Sequence, residues 1–394
     1  MEDLSIRNAI STILSIPGEA ITNLAALKSG MTNNSYIFTV NKTRYIIRIP
    51  GKNTNKIINR YEEFQVYQAI KPWDLSEEII YLCAETGIKI SKFIEASHTL
   101  DVTNWDDVSH CLDTLKKLHD LNLVIPHTFD IFERINYYES LIPNKHSRFD
   151  YKAVKSAVFS LKSLIEKSDR KWCLCHIDAV CDNFILTNNN KVYLIDFEYA
   201  GMQDPDLDLA MFCVYSMLDR PSIDRVINLY YKQQVNAVRK YKIYAYIALA
   251  GLLWSNWCEA KQDKGLIYST YAHKQYRYAK EYSRIIMSEA VHLIESDKAV
   301  QNPYISELLI FPLFITYIHD TISAIAVNIA ILVSQKYHIV RKDIVKLNSF
   351  YIWMGAFLGG PVGMCSYIAS VYFIGPSLTA IISSLYPAMG FLWA

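Results

Sequence analysis

Four polar residues stand at fixed spacing in the middle of this 394-residue chain. His176, Asp178 and Asn183 follow the pattern H-x-D-x-x-x-x-N, and Asp196 opens the triplet Asp196-Phe197-Glu198. Such a set suits phosphoryl transfer, which needs in-line positioning and neutralisation of phosphate charge by Mg2+ more than covalent help. A hard cation takes oxygen ligands from carboxylates and amide carbonyls, and Asn183 and Asp196 supply them. Asp178 is the carboxylate placed to face an acceptor hydroxyl and take its proton. His176, grouped with Asp178 as catalytic, braces the loop by hydrogen bonding. Glu198 stands where a D-F-G triplet has glycine, so it adds a second metal contact or meets a cationic substrate. Asp208 either caps a helix or braces the same loop.

The elements that must position these residues can be read around them. Trp172-Cys173-Leu174-Cys175 is a strand ending at His176. Phe184-Ile185-Leu186 is a second strand, Asn188-Asn189-Asn190 a turn, and Lys191 to Ile195 a third strand that delivers Asp196. Nearer the N-terminus, residues 5–28 suggest a helical opening. The small polar loop Lys28 to Ser35 then leads into strand 36–40, a turn at 41–43 and strand 44–49. In kinases such a loop covers nucleotide phosphates and a basic residue on the following strands contacts them. Thr32, Asn33 and Asn34 are the loop candidates for ATP, Arg48 is the basic residue, and Glu63 on the next helix is its holder. Residues 89–95, after strand-like 79–82, are the expected hinge between two lobes.

Composition narrows the class. The net charge of +1 lacks the basic surplus of a nucleic-acid binder, so no nucleic-acid partner is expected. Cys173 and Cys175 are separated by one residue, not the two to four of common zinc sites, and no second pair follows; the eight cysteines read as free thiols of a reducing compartment. With 28 tyrosines, most must be packing residues, and one Tyr alone proves little. The first residues lack a basic stretch followed by an apolar run, so residues 1–300 are expected in the cytoplasm.

Character changes near residue 300. Residues 308–333 are mostly apolar, 336–346 are basic, and 347–394 carry no charged residue. That last run fits two membrane spans of about 20 residues each, broken at Gly375-Pro376. Lys336, Arg341, Lys342 and Lys346 should lie in the cytoplasm, yet one span at 308–333 would carry them across. Either that segment does not span or a preceding span is missing, and the conflict points to an incomplete membrane domain that anchors the chain in a membrane.

Cys175-His176-Ile177-Asp178 through Asn183-Phe184, then Leu194 to Met202, resembles the choline/ethanolamine kinase family. Gly30 to Asn34 and Arg48-Ile49-Pro50-Gly51 match its bacterial members, which supply phosphocholine for surface glycans. The resemblance covers roughly residues 20–285. It implies an α+β, two-lobed protein-kinase-like fold of the aminoglycoside/choline kinase type, here followed by an all-α transmembrane segment. The implied division is an N-lobe at 1–92, a C-lobe at 93–300 and transmembrane helices at 301–394. It also implies ATP and Mg2+ as cofactors, Asp178 as base, Asn183 and Asp196 as metal ligands, and Arg48 near the phosphates. Trp254 and Trp257, three apart on one helix face before Glu259, either pack a core or hold a quaternary ammonium ion. By resemblance Trp254, Trp257, Tyr271 and Tyr199 match the aromatic choline cage. Residues 353–394 resemble part of a drug/metabolite-type permease. The expected function is phosphorylation of choline, with an enzyme that activates phosphocholine as downstream partner. Kinases for ethanolamine, thiamine or an aminoglycoside, and a transport protein with a regulatory kinase-like domain, are the alternatives.

Overall fold

The computed structural model describes residues 2–29, 32–51, 54, 57–142, 148–261 and 266–296. The chain divides into a unit over Met1–Ile286 and another over Met287–Ala394. The expected membrane spans and permease-like segment lie outside the described residues. No helix among the described residues is long and apolar enough to cross a membrane.

The first unit opens with α1 (Glu2–Leu14) and β1 (Thr22–Ser29), followed by the hairpin β2 (Asn33–Val40) and β3 (Thr43–Pro50). The turn Asn41-Lys42 has positive φ at both residues, +48° and +65°, which matches the twist of the two strands and sets Val40 opposite Thr43. Helix α2 (Arg60–Ile70) starts at Asn59, whose side chain accepts from the Tyr61 and Glu62 N–H groups. Strands β4 (Ile79–Leu82) and β5 (Lys89–Lys92) complete an antiparallel sheet of order β1-β2-β3-β5-β4. Ile6 and Ile10 of α1 pack with Phe38, Ile47 and Ile90 to form its core.

The helical opening expected over 5–28 is corrected: it stops at Leu14, and Thr22–Ser29 is an edge strand paired with β2. Pro17-Gly18 cannot carry the helix on, and the alternative partner, β2, is invisible to local periodicity.

The remainder is mainly helical. In order come β6 (Ser97–Thr99), α3 (Trp105–Asp120), α4 (Ile131–Ser140), α5 (Tyr151–Ser160), α6 (Lys162–Lys167) and β7 (Cys173–Cys175). Then follow β8 (Phe184–Thr187), β9 (Val192–Leu194), β10 (Gly201–Gln203), α7 (Pro205–Tyr215), α8 (Arg220–Tyr231), α9 (Ala237–Ala260) and α10 (Leu266–Ser296). Strands β6-β8-β9 form one small sheet and β10-β7 another. Every residue of α9 from Lys242 to Glu259 is buried, so the helix has no polar face and acts as the axis of this core. The described cysteines are free thiols.

Helices α9 and α10 meet at Gly251. A Cβ there would stand 2.6 Å from the Gln275 carbonyl oxygen and 2.8 Å from the Ala279 nitrogen, and backbone cannot yield. Gly251→Ala is expected to destabilise by about 1–3 kcal/mol. Thermal unfolding checks this; an unchanged Tm would contradict the close crossing.

Candidate active site

The loop between β7 and β8 is held by one carboxylate. Asp208, fully buried on α7, accepts from the His176 N–H at 2.7 Å and the Ile177 N–H at 2.6 Å. His119 of α3 reaches the same carboxylate at 2.8 Å, and its other ring nitrogen meets the Tyr230 hydroxyl at 2.7 Å. Asp208 is therefore the brace and not the helix cap; Asp204 caps α7 through the Asp206 N–H. Cys175 lies beside His119 and Asp208 in a cluster that could hold a metal ion. The carboxylate and both imidazole nitrogens are already committed to protein groups. Ile177 has φ +67°, a left-handed conformation that costs a β-branched residue about 1–3 kcal/mol. The Asp208 carboxylate offsets that strain.

His176 is buried, its Nε2 bonds the Ile195 carbonyl oxygen at 2.9 Å, and its ring lies 4.5 Å from Phe197. It thus ties the loop to the segment after β9 and is a positioning group. Asp178 follows, half-buried. Its Oδ2 accepts from Asn183 Nδ2 at 3.0 Å and its Oδ1 from the Tyr215 hydroxyl at 2.5 Å. Burial raises the Asp178 carboxyl above the ordinary aspartate range, against the Tyr215 hydrogen bond. The Ile195 N–H donates to the Asn183 backbone carbonyl at 3.0 Å, which brings Asn183 beside Asp196.

Asp196 is also left-handed, at φ +65°. Its Oδ1 meets Arg48 Nη1 at 2.6 Å, and Arg48 Nη2 meets Glu63 Oε1 at 2.6 Å. Burial alone would raise the Asp196 carboxyl, but the charges of Arg48, Lys89 and Arg60 hold it below the usual range. Glu198 has both oxygens engaged: Oε1 by the Thr32 hydroxyl at 2.7 Å, Oε2 by Asn33 Nδ2 at 2.8 Å and Arg60 Nη1 at 3.0 Å. Burial and the nearby Asp196 raise it to about 7, against Arg48 and Arg60. Asn34 sits on β2 opposite Ile49.

Arg60 was not legible in the sequence. Besides Glu198 it bonds Glu63 Oε2 at 2.9 Å and Asn33 Oδ1 at 3.0 Å, joining the start of β2, α2 and the segment after β9. Gly87 makes room for it: at φ +72°, its Cβ would stand 2.5 Å from Arg60 Cδ.

Tyr215 is the other omission. Its hydroxyl holds Asp178 while its ring lies 5.0 Å from Trp254. Asp208, Met211 and Tyr215 fall three and four apart on α7, a spacing that marks one helix face. Trp254 also meets Trp257 at 5.9 Å and Tyr199 at 6.1 Å, and its Nε1–H donates to Met211 Sδ at 3.1 Å. Tyr271, on α10, is partly buried against the same core and has no ring contact with these three among the described residues. Glu259 is an ion-pair partner of Arg148.

Several known proteins are similar to this chain. The family model for choline/ethanolamine kinase matches residues 24–248. Protein LicA of Haemophilus influenzae is 27% identical over 259 residues, covering 62% of this chain and 96% of that protein. The crystal structure of choline kinase LicA from Streptococcus pneumoniae is 30% identical, covers 72% of this chain and 99% of that one, and superposes with a TM-score of 0.63. A structure of LicA in complex with AMP is 29% identical, covers 72% and 98%, and gives 0.60. The fold is therefore kinase-like, of the choline kinase type.

Asp208→Asn keeps the shape of the brace but offers one good acceptor where two N–H groups compete. It is expected to lower stability by about 1–3 kcal/mol. Urea unfolding measures it; a variant as stable as the parent would contradict the brace.

Proposed function

The chain belongs to the choline/ethanolamine kinase family, and on that premise we propose that it phosphorylates the hydroxyl of choline, using ATP and Mg2+, with Asp178 as the base. That it is a kinase-like phosphotransferase with an alcohol acceptor follows from the family and its relatives. The choice of choline rests on one observation: Tyr215 touches Asp178 with its hydroxyl and Trp254 with its ring. A base and a set of aromatic faces therefore adjoin. Choline carries a hydroxyl two carbons from a quaternary ammonium ion, and aromatic faces attract such a cation without needing N–H acceptors. Ethanolamine and aminoglycosides carry N–H groups that call for carboxylates. Glu259, the acid nearest the Trp pair in sequence, is spent on Arg148.

Asp178 accepts the hydroxyl proton as the oxygen attacks the terminal phosphorus, whose bond to the bridging oxygen breaks so that ADP leaves. The Tyr215 and Asn183 hydrogen bonds orient its carboxylate for that transfer. The donor set fits Mg2+. Asn183 uses its Nδ2 on Asp178, Arg48 takes Oδ1 of Asp196, and one oxygen of each side chain is left for a hard cation. When bound, Mg2+ neutralises phosphate oxygens. Arg48 adds fixed positive charge beside Asp196, and Thr32 and Asn33 are placed to exchange Glu198 for phosphate oxygens. The AMP complex of LicA supports the nucleotide assignment. The lobes are taken to divide at 92/93. A cytoplasmic site followed by a membrane segment at 308–394 is part of the same reading, supported by the charge-free run 347–394.

Incubating the full chain with Mg-ATP and a panel of amino alcohols tests the substrate. Choline is expected to be turned over in preference to ethanolamine, thiamine and aminoglycosides; preference for another acceptor would overturn the assignment. Asp178→Asn should lower kcat by about 10²–10⁴-fold with folding intact, and near-normal turnover would refute its role as base. Trp254→Ala should raise the choline KM about tenfold or more, the worth of a desolvated cation–π contact, and leave that for ATP almost unchanged. Equal effects on both would mean that the indole only packs.

A further inference from the structure

We propose that Tyr67 is a positioning residue that fixes the backbone of Asp196 from helix α2; this rests on Asp196 being a metal-binding carboxylate. Tyr67 lies buried on α2. Its phenol oxygen accepts the Asp196 N–H at 3.2 Å and a Lys89 Nζ proton at 2.6 Å, and its own proton goes to Glu77 Oε1 at 3.2 Å. A phenol has one proton and two lone pairs, so all three are used. Lys89 Nζ also pairs with Glu77 Oε1 at 2.5 Å. The hydroxyl is thereby locked on one side, with one lone pair directed at Asp196.

Asp196 needs such a hold. Its φ of +65° is uncommon for a side-chain-bearing residue, and rotation of the peptide before it would redirect the carboxylate. Arg48 restrains Oδ1 alone. Tyr67 restrains the peptide itself, and its ring packs edge-on against Phe197 at 5.5 Å. Lys89 stands on β5 opposite Arg48 in register. Strand β5, which lies within the expected hinge at 89–95, is thus linked through one phenol to the turn that carries Asp196.

Tyr67→Phe keeps the ring and leaves the Lys89–Glu77 pair closed. Binding of Mn2+ is followed by electron paramagnetic resonance with a non-hydrolysable ATP analogue, in the cold so that a destabilised variant stays folded. The dissociation constant for Mn2+, and the Mg2+ concentration giving half-maximal activity, should each rise about five- to tenfold, the worth of one hydrogen bond. The choline KM should stay within about twofold, since no substrate contact changes. Metal affinity equal to the parent's would overturn the role, and so would a choline KM that rises as much as the metal constants. Asp196→Ala is run beside it. If that variant binds Mn2+ as the parent does, Asp196 is not a metal ligand and the positioning role falls with it. If it loses Mn2+ while Tyr67→Phe does not, the positioning role alone fails.

Discussion

Arg48 has one nitrogen on Glu63 and another on Asp196, both at 2.6 Å; Arg48 and Glu63 are almost wholly out of solvent, and Asp196 is partly exposed. Its remaining Nη2 contact is the Gly87 carbonyl at 3.3 Å. Charges so buried are tolerable only when geometry and hydrogen bonding satisfy them, and removing one partner of such a pair costs about 3–5 kcal/mol. Around this guanidinium sit Glu63, Asp196 and Glu198, with Arg60 as the second cation. Two arginines face three carboxylates, so a net negative charge remains where Glu198, raised to about 7, is ionised, and Asp178 lies nearby. That surplus is what a divalent cation would neutralise, so the ion-pair network and the chemistry proposed for the site answer the same electrostatic constraint.

The network also explains why strain collects here. Ile177 and Asp196 both adopt left-handed backbone, one beside Asp178 and the other the proposed metal ligand. Each is held by an external group: Ile177 by the Asp208 carboxylate, Asp196 by Arg48. Such conformations persist where surrounding structure over-determines them. Helix α7 and strand β3 supply those groups and hold the loop and the turn from outside. His176 belongs to the same frame, since its ring joins the loop to Ile195 and Phe197.

Much of this was legible in the sequence where chemistry and spacing are local. The pattern from His176 to Asn183 and the strand ending at Asp196 sit in one short stretch, and the β2–β3 hairpin is set by its two-residue turn. What escaped depends on partners far apart in the chain. Arg60 meets Glu198 across 138 residues and Tyr67 meets Asp196 across 129, so no window contains both members. Edge strand β1 reads as helix in the sequence because its pairing partner, not its own pattern, decides its conformation. The Trp pair illustrates a different limit. Spacing puts Trp254 and Trp257 on one face in a core and in a cage alike, and only the neighbours Tyr199 and Tyr215 distinguish the surroundings. Residues 308–394 lie outside the described structure, and their apolar character stands on sequence alone.

The central claim is that the site moves a phosphoryl group from ATP to the hydroxyl of choline. Phosphorus NMR of the full chain with Mg-ATP and choline tests it most directly. The account predicts that the γ-phosphorus signal is replaced by a phosphocholine ester signal, one for one with ADP. Release of inorganic phosphate without that ester, or an ester formed only when another alcohol replaces choline, would contradict it.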